Sequence, residues 1–287
     1  MTSIPPSWGK AEKLDAGQMA DELFARTGTR LVVEGPCAGG EVGAAFVRWE
    51  DGHRSVLKWR PHSRKADLLR GPLAVCEAAR TAGIPAPGTE LVEQIGHAVV
   101  MVQELRPGTQ LDHLDQSLLH QALSINDRQK DLLVDRPDIP PIQLYLQDDG
   151  PGYCLHEPLR QYSNRTAALE RRIRAVTSDA ARHHDAVHLD FHPGNLLAEG
   201  GSITGLVDWD GAGRGDRRLD LVTLYFGLHH RGRRPETSTL DGVLKHIPDH
   251  ELQPLWAHMS LRLTDWAIRH HTDDDVNHWL DLAEQRL

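Results

Sequence analysis

The 287-residue chain has no apolar run approaching the roughly 18–20 residues that a membrane-spanning helix requires, and its mean hydropathy is -0.46. A membrane partner is therefore not expected. The opening residues, MTSIPPSWGKAEK, lack the apolar core of a secretion signal, so a cytoplasmic location is expected. Cysteine is scarce: Cys37, Cys76 and Cys154 form no CxxC pair. That odd, dispersed set excludes a disulfide scaffold and a cysteine-based zinc site, and it suits a reducing compartment. Positive charge is also short. Lys and Arg number 32 against 41 Asp and Glu, a net charge of -9, which argues against a nucleic-acid partner. No internal repeat or low-complexity tract is present.

What is present is unevenly distributed. Residues 1–103 hold 12 basic and 12 acidic side chains, so the whole negative excess lies in residues 104–287. Within the first region, residues 15–27 read as a helix and Leu31–Glu34 as a strand closed by Gly35-Pro36. Asp51-Gly52 predicts a hairpin between strands Ala44–Trp49 and Ser55–Trp59. Residues 66–82 carry a helical pattern broken at Gly71-Pro72, so the helix proper is expected to begin near Pro72. Two further strands are expected at Glu90–Gln94 and Ala98–Gln103. Strand-rich then helix-rich segments imply an α+β fold. Residues 114–123 and 165–177 read as helices, and 126–164, rich in prolines and acids, as an insertion on the second region.

The chemistry concentrates in residues 187–210, VHLDFHPGNLLAEGGSITGLVDWD. A polar loop precedes a hairpin, Leu196–Leu197 to Leu206–Val207, with Gly200-Gly201 at its turn. His188, Asp190, Asn195 and Asp208 flank that hairpin. Oxygen ligands at both its ends suit a hard cation such as Mg²⁺, and Asp190 is left to face a substrate hydroxyl. A zinc hydrolase is the competing reading of His183, His184, His188, Asp190 and His192, all within ten residues. It leaves Asn195 and Asp208-Trp209-Asp210 without a role.

These segments resemble the aminoglycoside phosphotransferase family, the antibiotic-kinase branch of the protein-kinase-like fold. The family's loop His-Gly-Asp-Leu-His-Pro-Gly-Asn corresponds to His188-Leu189-Asp190-Phe191-His192-Pro193-Gly194-Asn195. Its metal-binding segment corresponds to Leu206-Val207-Asp208-Trp209-Asp210, and its continuation to Gly213-Arg214-Gly215-Asp216 and Asp220-Leu221. The resemblance implies a bilobal fold: an antiparallel sheet with a helix over residues 1–103, and a larger, mostly helical lobe over 104–287. It implies Asp190 as base, Asn195 and Asp208 as Mg²⁺ ligands, His188 and Asp220 as supports of the loop, and ATP or GTP as donor. By the same resemblance Lys58, Gly39 and Gly40 meet the phosphates, and backbone groups near Gln103 and Leu105 meet the base of the nucleotide.

Three departures stand out. Leu189 replaces the loop glycine. The helix glutamate that partners the strand lysine is missing at its usual place, leaving Glu77, about five residues late, as a candidate. The Leu-His pair that commonly ends the helix after the hinge is replaced by Ala122-Leu123-Ser124.

Asp220 follows Asp210 by only ten positions, too few for a protein-kinase activation segment, so a small acceptor is expected. An acidic second region suits a cationic, hydroxyl-bearing acceptor: an aminoglycoside or a peptide antibiotic of the viomycin/capreomycin type. Asp148, Asp149, Glu157, Asp265, Asp273 and Asp274 are its candidate contacts. A kinase for choline, homoserine or a sugar is the alternative.

Overall fold

The structure, a computed structural model, describes residues 12–38, 42–178, 183–230 and 235–287. Helix α1 (Ala16–Thr27) is bounded by a side-chain cap from Asp15 to the Gln18 N–H and by left-handed Gly28. Strands β1 (Leu31–Pro36), β2 (Ala44–Trp49) and β3 (Arg54–Pro61) follow. Asp51-Gly52 turns β2 into β3 as its composition predicts, with Gly52 at φ 93°. β1 runs two residues past the expected stop, through a bulge between Val33 and Gly35.

The helical pattern of 66–82 divides at Gly71 into α2 (Lys65–Arg70) and α3 (Pro72–Thr81). A Cβ at Gly71 would lie 3.0 Å from the Asp67 carbonyl, so glycine permits the sharp join. After β4 (Thr89–Ile95) and β5 (Ala98–Glu104), the first sheet is complete: antiparallel, in the order β1-β2-β3-β5-β4. β5 lies inside the sheet, between β3 and β4, and is buried along almost its entire length. β3 alternates. Ser55, Leu57 and Trp59 turn inward, while Val56, Lys58 and Arg60 share the opposite, partly open face.

Beyond β6 (Thr109–Gln110), helices dominate: α4 (Gln116–Arg128), α5 (His156–Tyr162) and α6 (Asn164–Ala175). Residues 185–215 carry four short strands, β7 (Asp185–Val187), β8 (Leu196–Glu199), β9 (Ser202–Leu206) and β10 (Gly213–Gly215). β6, β8 and β9 form one small sheet, and β7 pairs with β10. The chain closes with α7 (Arg218–Leu228), α8 (Ser238–Lys245), α9 (Asp249–His270) and α10 (Asp273–Ala283). No helix among the described residues is long and apolar enough to cross a membrane.

Two small cores lie against the first sheet, and one large core unites α3 through α10. Val75, Cys76 and Ala79 of α3 belong to the large core, so this helix packs against β7, β10 and the turn at Trp209–Gly211. Leu133, Ile139, Leu146 and Leu159, from the proline-rich stretch, are also sealed in it. The whole is the bilobal protein-kinase-like fold.

Candidate active site

β7 delivers the chain into the loop 188–195 through a sharp kink. Leu189, where the resemblance expects glycine, takes a left-handed backbone with φ 70°. The kink is clamped from both sides. Asp220, fully buried in the first turn of α7, accepts the N–H groups of His188 and Leu189, each at 2.8 Å. It also accepts from the Gln129 amide at 3.0 Å. Burial pushes Asp220 up to about 7, against the pull of those donors. On the other side, Arg262 of α9 donates to the Leu189 carbonyl at 3.2 Å.

His188 supports the loop from behind. Its Nδ1 accepts the Asp190 N–H at 3.2 Å, which makes Nε2 the donor to the Val207 carbonyl at 3.0 Å. The ring lies edge-on to Trp209, with centroids 4.6 Å apart. Burial holds it neutral, down at about 4. Trp209 is itself buried and donates to the Leu206 carbonyl.

The Asp190 carboxylate stands at the cleft, held by three groups. Asn195 Nδ2 donates to Asp190 Oδ2 and to its carbonyl, both at 2.9 Å. His192 Nε2 lies 3.5 Å from Oδ2, and Arg262 Nη2 lies 3.5 Å from Oδ1. Burial raises the Asp190 pKa, but the His192 hydrogen bond and the charges of His192 and Arg262 hold it well below the usual carboxylate range. Asp190 is therefore an ionised acceptor at neutral pH.

The second acidic segment is tied to this loop through the backbone, because the Val207 N–H donates to the Asn195 carbonyl at 2.9 Å. The β8–β9 hairpin brings the two together, with Gly200 and Gly201 both at positive φ in its turn. Asp208 leaves the hairpin at φ 68°, another left-handed residue. Lys58 reaches it from β3: Nζ lies 2.5 Å from Asp208 Oδ1 and 3.1 Å from Asp210 Oδ1. Burial lowers the lysine pKa, but the two carboxylates more than offset it and hold the ammonium charged. Asn195 spends its amide N–H on Asp190, leaving the amide oxygen to offer a cation.

Lys58 thus meets Asp208, and Asn195 meets Asp190, on two segments joined by the Val207–Asn195 backbone bond, with His188 and Asp220 supporting the loop. Gln103 is buried near the end of β5, paired with both neighbouring strands, and Leu105 follows just past the ladder. Gly39 and Gly40 lie outside the described residues. Glu77 does not meet Lys58: it is exposed on α3 and paired with Arg80 at 2.7 Å.

Several of the acids assigned to the acceptor have partners within the fold. Asp265 is a correction: its side chain is 0% exposed, paired with Arg269 and accepting the Leu155 N–H at 2.9 Å. It offers nothing to a ligand. Asp149 accepts the His156 N–H at the start of α5, and Glu157 bonds Gln161 on the same helix. Asp273 and Asp274 lie in the first turn of α10, where Asp273 accepts from the Tyr162 hydroxyl. Acids are favoured there by the helix N-terminus itself. Asp148 is exposed.

The histidines do not converge either. His183 faces Asp216, His184 meets Arg214, and His188 points away from the cleft. Sequence reasoning missed Arg262 and Gly227. Arg262 carried no local signal, since it joins the loop from 73 residues away. Gly227 did: it is a lone glycine in the apolar run LDLVTLYFGL. A Cβ there would lie 2.6 Å from His192 Cβ.

Comparison with known proteins gives the family and the fold. The model of a phosphotransferase enzyme family matches residues 36–247. No curated protein matches the chain. A thermostable mutant of aminoglycoside phosphotransferase APH(4)-Ia, in ternary complex with AMP-PNP and hygromycin B, superposes with a TM-score of 0.62 at 15% identity, covering 94% of this chain and 97% of that one. A further crystal structure of aminoglycoside phosphotransferase APH(4)-Ia gives 0.60 at 15% identity, over 95% and 98%. A putative fructosamine-3-kinase from Haemophilus somnus gives 0.56 at 10% identity, over 94% and 96%. These likenesses establish the fold, and the family match covers most of the chain. The chain belongs to the phosphotransferase enzyme family.

Proposed function

We propose that the protein transfers the γ-phosphoryl group of ATP (or GTP) to a hydroxyl of a small acceptor, with Mg²⁺. The observation that carries this is an ionised Asp190, bonded to Asn195 at 2.9 Å, on a segment joined through the backbone to an Asp208 held by the half-buried Lys58 at 2.5 Å. Residues 1–103 are assigned to the nucleotide and 104–287 to catalysis and the acceptor. Asn195 and Asp208 fit Mg²⁺, because a carboxylate and an amide oxygen are the hard donors that ion takes. Bound there, it would neutralise charge on the phosphates.

The remaining work falls to the chain's own groups. Lys58 pairs with phosphate oxygens, and backbone groups near Gln103 and Leu105 receive the base of the nucleotide. Asp190 accepts a hydrogen bond from the acceptor hydroxyl and takes its proton as the oxygen bonds phosphorus and the bond to the nucleoside diphosphate breaks. A loose transition state demands alignment and charge neutralisation rather than a strong base. A carboxylate held low, fixed by Asn195 and Arg262, suits that demand.

The first reading of the acceptor is a cationic antibiotic, an aminoglycoside or a viomycin/capreomycin-type peptide, whose modification would confer resistance. It is supported by the acidic excess after residue 103 and by hygromycin B in the APH(4)-Ia complex. One observation favours the metabolite-kinase reading: the charge beside Asp190 is the guanidinium of Arg262, while Asp265 is sealed in an ion pair. A mass screen separates them. Acceptors are incubated with MgATP, and a gain of about 80 Da marks a phosphoryl ester. Modified aminoglycosides or cationic peptides support the first reading; modified choline, homoserine or sugars with unmodified antibiotics support the second.

A further inference from the structure

The two carboxylates beside Lys58 differ in what else holds them. The Asp208 side chain is 43% exposed to the cleft, whereas that of Asp210 is 18% exposed. Arg60 Nη1 lies 3.5 Å from Asp210 Oδ2 and also donates to the Asp210 carbonyl at 3.1 Å. Lys58 and Arg60, two residues apart in β3, share a face, so one strand grips one acid with two cations. The acids of α2 and α3 bring Lys58 no substitute. Asp67 of α2 pairs with Arg64, and Glu77 of α3 with Arg80.

We infer that Asp210 positions Lys58 for the nucleotide, with Arg60 fixing Asp210 in turn. The inference rests on the phosphotransfer reading above. An ammonium on a four-carbon stem has no preferred direction of its own and follows its counter-charges. Asp208 cannot serve as that anchor throughout, because it is the open carboxylate that a cation claims. When it turns away, Asp210 keeps Lys58 at the cleft. Without Asp210, the lysine follows Asp208 and competes with the cation for it. Asp210 is a positioning residue, and the join between β3 and the 208–211 turn is part of the nucleotide site.

Calorimetric titration of the full chain with ADP, with and without Mg²⁺, tests this, together with the steady-state KM values. Asp210→Asn is expected to weaken metal-free ADP binding about tenfold and to raise the half-saturating Mg²⁺ concentration. The acceptor KM stays within about twofold, and Asp210→Glu recovers most of the loss. A metal-ligand role would instead leave metal-free ADP binding at the wild-type value, and that result overturns the inference. Should Asp210→Asn not fold, Arg60→Met decides. It is expected to weaken metal-free ADP binding about threefold, and wild-type binding would overturn the inference. A wild-type protein that binds no nucleotide would instead overturn the phosphotransfer reading itself.

Discussion

Leu189 occupies a backbone region that costs an L-residue about 1–2 kcal/mol, and the surrounding contacts show why it is held there. Asp220 takes the two N–H groups of the kink and Arg262 takes its carbonyl, so relaxing the backbone would break three hydrogen bonds. The leucine side chain meanwhile packs against the large core. Asp220→Asn removes one acceptor oxygen from the clamp. It is expected to destabilise the protein by about 2–3 kcal/mol, read as a lowered denaturant midpoint with an unchanged slope. Cysteine offers a second test at this scale. Cys76 and Cys154 are buried, and burial pushes their thiols up to about 12 and about 11. Cys37, just past β1, is only half-buried; burial raises its thiol too, with the charge of Lys58 pulling the other way. Iodoacetamide at mildly alkaline pH is expected to modify Cys37 first, as read by peptide mass, and MgATP to slow that reaction severalfold. Protection of none of the thiols would count against nucleotide binding beside Lys58.

At the scale of elements, the legible parts were those whose contacts are local. Loop 188–195, the β8–β9 hairpin and Asp208 lie within one stretch, so spacing alone placed their polar side chains on neighbouring segments. The Asp51-Gly52 hairpin and the start of α3 at Pro72 were legible for the same reason. The stretch 129–155 was not, because its buried residues Leu133, Ile139 and Leu146 follow no helical or strand period. Nor was the fate of the acids: an aspartate at a helix start and one facing a ligand look alike in sequence, and only packing tells that Asp149 accepts the first N–H of α5. Arg262 is a long-range contact and left no mark.

Gly227 shows the reverse case, a local anomaly with a distant cause. Within α7 a glycine costs about 1 kcal/mol relative to alanine, yet its missing Cβ makes room for His192 and for Pro193, whose Cδ would be 3.2 Å away. Gly227→Ala is therefore expected to lower the melting temperature, by about 1–3 kcal/mol of stability, and to reduce kcat more than nucleotide affinity. A raised melting temperature would show that helix propensity wins and that the loop does not rest on α7.

For the molecule as a whole, the -9 proves to be partly structural. Many acids after residue 103 cap helices or pair with arginine, as Asp216 does with Arg218 and Glu284 with Arg165. The acidity of this region is thus not, by itself, a binding surface. Stability should also depend on pH through two buried, neutral histidines. Burial holds His188 at about 4 and His258 at about 3, below the ordinary 6.5. Below pH 6.5 the unfolded chain binds protons that the native protein refuses, so their contribution is full above 6.5 and is lost as pH falls towards those values. Each adds a slope of up to about 1.4 kcal/mol per pH unit. Asp220, raised to about 7, acts in the opposite sense in part of that window. A difference measurement removes it. His258→Gln keeps an acceptor for the Tyr145 N–H and is expected to lose stability less steeply than wild type between pH 6.5 and 4; equal slopes would show that His258 titrates in the native state.

The central claim is that one cleft binds a nucleotide through Lys58 and Asp208 and moves its phosphoryl group with Asp190. The most direct measurement compares wild type and Asp190→Asn in two assays on the same preparations: MgATP affinity, and phosphoryl transfer to the acceptor that the mass screen identifies. The account predicts that Asp190→Asn binds MgATP within about twofold of wild type but transfers phosphate at least about 100-fold more slowly. Transfer within a few fold of wild type would contradict it.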